Sequence, residues 1–222
     1  MMRSHSFLSV SIMKTYQKII DESLRLFNQE GERNITTNHI ANHLSISPGN
    51  LYYHFRNKEE IIYQIFLQYK AYIHQHIALP QERTLTVRDI LTYLEKAFHA
   101  IWMFRFMFYD LSSLLARNPK LCTEYHQFIH EDMRGRLQAI FRECRQLGFI
   151  AIEDDDMNAM LNQIWLLVKF WFTFEQTTPP TTPLTEATSQ RGIEQVLFLL
   201  KPYIQAPWKA DFQRALTPNS AA

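Results

Sequence analysis

The stretch from Ile35 to Glu60, ITTNHIANHLSISPGNLYYHFRNKEE, constrains this chain more than any other. Three helix starts are crowded into it, each with its own N-terminal signal. Thr36 is placed to cap a first helix, its hydroxyl accepting one of the orphan backbone N–H groups. Ile40, Ala41 and Leu44 follow at helical spacing and give that helix one apolar stripe. Ser47-Pro48 opens a second helix, with Ser47 as N-cap and Pro48 at the first helical position, where a missing N–H is harmless. Asn57 caps a third, and Glu60 three residues on completes a capping-box pattern.

The second helix is barely two turns long, and its faces separate cleanly at 100° per residue. Leu51 and Phe55 point one way and, with Ile46, pack on Ile40 and Leu44. The opposite side carries Gly49, Asn50 and Tyr53, flanked by Tyr52 and His54. A small, polar and aromatic face on a short protruding helix suits a DNA major groove. Gly49 lets the backbone approach, Asn50 reads a base edge, and the tyrosines and His54 reach phosphates. From Arg33 to Lys58 there are three cations, three histidines and no Asp or Glu. That local asymmetry favours a polyanion, although the whole-chain charge of +1 is uninformative.

These residues resemble the TetR family of bacterial transcriptional regulators. The resemblance runs from about Lys14 to Phe66. It rests on Phe27 and Gly31 at the end of one helix, Thr37 and Ile40-Ala41 in the next, then Ser47-Pro48-Gly49-Asn50-Leu51-Tyr52-Tyr53-His54-Phe55 and Lys58-Glu59-Glu60. One departure is Ser45, at a turn position where this family usually has glycine; a left-handed conformation there costs serine about 1 kcal/mol more. The resemblance implies an all-α fold: an N-terminal three-helix helix-turn-helix DNA-binding domain and a C-terminal helical bundle for ligand binding and dimerisation. No catalytic constellation is recognisable beside it, so neither an enzyme nor a cofactor is expected. Gly49, Asn50 and Tyr53 are expected to read the groove, and Thr37, Tyr52, His54 and Lys58 to contact phosphates. Ser47 and Pro48, at the start of the recognition helix, complete the interface.

The rest of the chain agrees with a helical protein. Only 5 of the 222 residues are glycine, and alternating β-branched runs are few. Residues 1–12 read as a disordered extension, with Met13 as an alternative start. Residues 13–78 read as the DNA-binding domain and its connecting helix, residues 79–205 as the effector-binding and dimerisation domain, and residues 206–222 as a tail. Helices are expected over Lys14–Glu30, Lys58–Ile77, Thr86–Met103, Phe104–Arg117, Asn118–Gln146, Asp154–Glu175 and Gln190–Ile204, with a Pro/Thr linker from Thr177 to Thr188. Cys122 and Cys144 fall on one helix about 33 Å apart, too far to pair within a subunit. That fits a reducing, cytoplasmic compartment. No apolar stretch reaches the roughly 20 residues of a membrane span.

Other chemistry is thinly represented. His126 and His130, at i and i+4, have a metal-ligand spacing, but a third ligand is not evident. His39 and His43 share the spacing and fall beside the recognition helix. The acidic run Glu153–Asp156 is accounted for by a helix N-terminus. No phosphate loop or nucleophilic triad is present. The competing readings are a helical ligand-binding or protein-interaction protein without working DNA binding, and a His-ligated metalloprotein.

Two apolar features complete the reading. From Ile164 to Phe174 only Lys169 is charged, and Val196–Leu200 is apolar on every side. Helices of this kind need cover on all faces, which points to a homodimer on a near-palindromic double-stranded operator. Large aromatics between Leu91 and Phe174 exceed what closing a bundle needs. Most of them read as core and subunit interface, with a minority lining a pocket for a lipophilic effector, for which Trp102, Arg105, Phe106, Tyr109 and Trp165 are the candidates; Arg105 either holds an anionic head group, points to solvent or pairs with Asp110.

Overall fold

The computed structural model describes residues 3–177 and 184–216, and among them every regular element is helical. In order these are α1 (Arg3–Glu30), α2 (Thr37–His43), α3 (Pro48–His54), α4 (Lys58–His76), α5 (Val87–Met103), α6 (Arg105–Tyr109), α7 (Leu111–Arg117), α8 (Pro119–Gln127), α9 (Arg134–Gln146), α10 (Asp154–Thr177), α11 (Thr188–Leu200) and α12 (Ala206–Leu216). A short 3-10 turn, Glu32–Asn34, follows α1. A π-helical segment, Phe128–Met133, joins α8 to α9.

The predicted caps are present. Thr36 Oγ1 accepts the His39 N–H, Ser47 Oγ accepts the Asn50 N–H, and Asn57 Oδ1 accepts the Glu60 N–H. Asn118 Oδ1 accepts the Leu121 N–H ahead of α8. Glu60 closes its own loop on the Arg56 N–H, one residue before the capping-box position.

The chain divides into two compact units, Met1–Lys70 with Phe104–Cys122, and Ala71–Met103 with Thr123–Ala222. This differs from the linear division after residue 78. The reason lies in aromatic packing within the first unit. Phe106 meets Phe27 with ring centroids 5.1 Å apart, and Tyr69 meets Phe104 and Phe108 at 5.6 and 5.4 Å. Helices α6 and α7 therefore belong with the N-terminal helices. The core of this unit is built on Ile19, Phe27, Ile40, Leu51, Phe55, Ile61 and Phe66, all essentially solvent-free.

In the second unit α5, α10 and α11 pack on one another around Phe98, Phe172 and Val196. A methyl group added at Gly192 would lie 2.3 Å from the Phe98 ring, so α11 can approach α5 only with glycine there. The Trp171 indole N–H donates to the Thr188 carbonyl at 3.0 Å and fixes the start of α11 on α10.

Several expectations are corrected. The α1 backbone is helical from Arg3, through the segment read as a disordered extension, because nothing between Arg3 and Lys14 is a glycine or proline. The helix expected over Phe104–Arg117 is two helices that part at Asp110. The one expected over Asn118–Gln146 carries the π segment inside it. Residues 206–216, read as tail, form α12, held by the buried Phe212 and by the Phe149–Trp208 ring contact at 4.6 Å. Gln205 N–H also donates to the Phe149 carbonyl just ahead of it. Within the expected Pro/Thr linker, residues 178–183 lie outside the described residues.

Candidate nucleic-acid interface

The α2–α3 turn sets the presentation of α3. Ile46 N–H bonds the Ala41 carbonyl and Ser45 N–H the Asn42 carbonyl, each at 3.0 Å, the two bonds of a Schellman closure. Ser45 takes the left-handed conformation this requires, with φ of 55°. Ser45→Gly should therefore raise stability, by about 1 kcal/mol, without moving α3. A urea titration checks it, and an unchanged midpoint would show that the turn carries no strain.

Helix α3 divides as its sequence dictates. Leu51 and Phe55 are buried, whereas Pro48, Gly49, Asn50, Tyr52 and Tyr53 are exposed, Tyr53 by 70%. Ser47 is exposed and already caps the helix. Tyr16 of α1 stacks on Phe55 at 4.6 Å and meets the His54 ring edge-on at 6.3 Å. Tyr53 meets the other side of His54 at 5.1 Å. Burial lowers the His54 pKa, so at neutral pH this ring is a neutral donor rather than a cation. Thr37 Oγ1 and Tyr52 Oη share a hydrogen bond of 3.0 Å, tying one expected phosphate contact on α2 to another on α3. A Cβ added at Gly49 would meet only Ser47 Oγ, at 3.9 Å. No internal contact requires glycine there.

The cations are arranged differently from the sequence expectation. Lys58 was expected to reach phosphate. Its ammonium instead donates to the Glu32 and Ile35 carbonyls, both at 2.9 Å, and meets Glu32 Oε1 at 2.8 Å. Arg117 holds the other oxygen of the buried Glu32 at 2.9 Å. Arg33 pairs with Asp110 and Ser113. Two cations of the acid-free stretch are thus paired with acids outside it, and Arg33 and Arg56 are its exposed cations.

His39 Nδ1 lies 3.2 Å from the Asn34 carbonyl, and His43 contacts Arg25 and Glu22. His126 and His130 are exposed with rings 5.8 Å apart. Among the described residues no group of three or more His, Cys, Asp or Glu could hold a metal ion.

A family model described as "Bacterial transcriptional repressor", of the TetR name, matches residues 68–212, and one for "Bacterial regulatory proteins, tetR family" matches residues 19–65. A solved TetR-family transcriptional regulator from Marinobacter aquaeolei VT8 is 39% identical, with a TM-score of 0.82 over 91% of this chain and 99% of that one. The chain belongs to the TetR family. It is a TetR-family transcriptional regulator, of a DNA-binding and non-enzymatic family. An HTH-type transcriptional regulator of Staphylococcus aureus (strain USA300) is 41% identical over 49 residues. That match spans 22% of this chain and only about a quarter, 26%, of the curated relative. The SmeT–triclosan complex, 16% identical, shares the fold with a TM-score of 0.60 over 94% of this chain and 97% of that chain. No helix among the described residues is long and apolar enough to cross a membrane.

The five residues expected to line an effector pocket fall three in one unit and two in the other. Arg105, Phe106 and Tyr109 belong to the first unit, Trp102 and Trp165 to the second. Phe106 is buried on Phe27, and its N–H donates to Asn28 Oδ1 at 3.1 Å. Arg105 reaches the Asn28 carbonyl at 3.4 Å, and burial lowers its pKa against the opposing effect of Tyr109. Trp102 packs on Phe172 at 5.3 Å. The aromatic surplus is therefore core in large part. What the sequence did not reveal is the Glu32–Lys58–Arg117 cluster, whose members lie far apart along the chain.

Proposed function

We propose that this chain is a homodimeric, ligand-responsive repressor that binds a near-palindromic operator through α3. The observation that carries the reading is the exposed set Gly49, Asn50, Tyr52 and Tyr53 on a helix pinned by Leu51, Phe55 and the Ser47 cap. Gly49, Asn50 and Tyr53 read base edges; Thr37, Tyr52 and His54, the last as a neutral donor, hold phosphates. Ser47 and Pro48 bring the helix N-terminus toward the backbone of the duplex. Lys58 supports the fold of this unit instead of contacting phosphate. The protein acts in the cytoplasm, where the chromosome is.

Dimerisation rests on α10 and α11. Leu166, Phe170 and Phe174 follow one another at four-residue spacing on α10 and are exposed, as is Phe198 on α11. Two such helices from each protomer would form a four-helix interface, setting recognition helices about one helical turn of DNA, ~34 Å, apart. A lipophilic effector that prefers the form with wrongly spaced α3 helices would lower operator affinity by linkage. Helix α4, continuous from Lys58 to His76, is the covalent route for that signal. The SmeT–triclosan complex supports this class of effector.

Gly49 provides the sharpest test. In Gly49→Ala the new methyl meets nothing inside the protein, and alanine favours the helix, so stability should rise by about 0.5–1 kcal/mol. Affinity for duplexes tiled from the DNA flanking its own gene, measured by fluorescence anisotropy, should nevertheless fall at least tenfold. Asn50→Ala should relax preference at one base pair by about 1–3 kcal/mol. Retention of full operator affinity by Gly49→Ala and by Tyr52→Ala/Tyr53→Ala together would refute this interface.

A further inference from the structure

The second unit holds a cavity of about 530 Å³ that the operator and effector readings leave unused. It lies between the first turns of α5, the chain just after α9, and α12. Leu91, Leu147, Phe149 and Trp208 contribute apolar wall. Leu91 and Phe149 are buried, and Trp208 stands edge-on to Phe149. The wall is therefore held by core packing on two sides and by a half-buried indole on the third.

Three charged side chains line the same space: Arg88, Asp211 and Arg214. Asp211 and Arg214 are ion-paired, which leaves the net lining charge with Arg88. Arg88 meets Glu95 at 4.0 Å, with both side chains well exposed, an arrangement of little strength. Asp89, one residue on, does not offset Arg88. Its carboxylate is committed to Arg83 and to the Thr86 N–H and hydroxyl. The volume falls in the range of small-molecule sites, roughly 300–1,000 Å³, and the lining has their usual character, mostly apolar with a few placed polar groups. A neutral apolar molecule would satisfy the wall but make no use of Arg88. A hydrophilic anion would waste the wall. A molecule with an apolar body and one carboxylate uses both, because a guanidinium fork matches a carboxylate in two parallel hydrogen bonds.

We propose that this cavity binds a small carboxylic acid with an apolar body, of the medium-chain fatty acid class. The carboxylate lies at Arg88, the chain along Leu91, Leu147 and Phe149, and Trp208 covers it. Binding would add a bridge between α12 and α5, which already pack on each other. The proposal concerns binding alone and does not depend on the operator reading.

The test uses the full chain, dodecanoate as the probe and dodecanol as its uncharged counterpart. Calorimetry should show saturable one-to-one binding of dodecanoate, with dodecanol much weaker. The chain has 4 tryptophans, so the change in emission should be assigned by Trp208→Phe, which keeps an aromatic ring against Phe149 and should lose the signal while retaining binding. Arg88→Ala alters an exposed side chain, so its melting temperature should match the parent, and dodecanoate affinity should fall about tenfold. Dodecanol binding should not change. No saturable binding, equal binding by Arg88→Ala, or an emission change that survives in Trp208→Phe would each overturn the proposal. None of these readouts involves DNA, so a failure here and a failure of the operator reading are separate results.

Discussion

Lys58→Ala is expected to lower the stability of the N-terminal unit by about 3 kcal/mol, well beyond the effect of removing one surface charge. The reason is Glu32, whose side chain is only 5% exposed. Two cations hold it there, Lys58 on one carboxylate oxygen and Arg117 on the other. Removing Lys58 leaves a buried carboxylate with one charged partner and takes a donor from the Ile35 carbonyl and from the Glu32 carbonyl, which keeps the Ile35 N–H. Glu32→Gln/Lys58→Met should recover part of the loss, because a buried pair replaced on both sides costs less than a pair broken on one. The same cluster predicts a pH dependence. Burial alone would raise the Glu32 pKa, but Arg117 and Lys58 outweigh it, so the folded-state value lies below the ordinary one. A depressed carboxylate contributes stability that is present above the unfolded-state pKa, about 4.3, and is lost as pH falls through the lower folded value. Urea titrations between neutral and acid pH should show this loss in the parent and a smaller one in Glu32→Gln. Unchanged stability in Lys58→Ala, with the salt dependence of DNA binding reduced by about one unit, would instead return Lys58 to the phosphate backbone.

Phe170→Asp/Phe198→Asp should yield a folded monomer that has lost its palindromic operator. Both side chains are exposed in the single chain, so helicity should be retained. In a two-fold dimer each substitution counts twice, and burying a phenylalanine contributes about 1.5–3 kcal/mol that an aspartate cannot. Loss of the second half-site then removes the tethering advantage, a factor of about 10²–10⁴ in operator affinity. Light scattering at micromolar concentration and anisotropy on paired and single half-sites check the two steps. A double variant that remains dimeric would move the interface away from α10 and α11.

How much of this was legible in the sequence depends on how far apart the cooperating residues lie. The caps at Thr36, Ser47, Asn57 and Asn118 act on amides three residues on, and all four were readable. So was the split of α3 into a buried Leu51–Phe55 side and an exposed Gly49–Asn50–Tyr53 side, because a seven-residue helix has few ways to face a core. Ser45 was legible too, since the turn needs a left-handed residue whatever occupies it. Lys58 was not. Its partner Glu32 lies 26 residues before it, and Arg117, which holds the other Glu32 oxygen, lies 85 residues beyond Glu32, so only the fold brings the three together. The Phe106 contact with Phe27 was not legible for the same reason: an apolar side chain reads alike in sequence whether it lines a cavity or packs on another ring. Helix α12 was missed because its order rests on Phe149 and Phe212, not on any strong stripe of its own. The exposed apolar face of α10 was legible in the same way, from Lys169 being the only charge between Ile164 and Phe174.

The π segment from Phe128 to Met133 has a consequence in phase. Bonding from i to i+5 takes up about one residue more than an α-turn over the same rise. Helix α9 therefore continues the axis of α8 with its compass turned by about 100°, the angle of a single residue. Leu121, Tyr125 and Phe128 are buried before the joint, and Met133, Ile140 and Cys144 after it. Counted straight through at 3.6 residues per turn, these two sets drift apart; counted with one residue dropped at the joint, they fall into a common stripe. A heptad ruler laid along residues 119–146 would thus misplace the core side of one half whichever half it was aligned to, and any graft or repeat built from this helix must keep the extra residue to keep both halves facing inward.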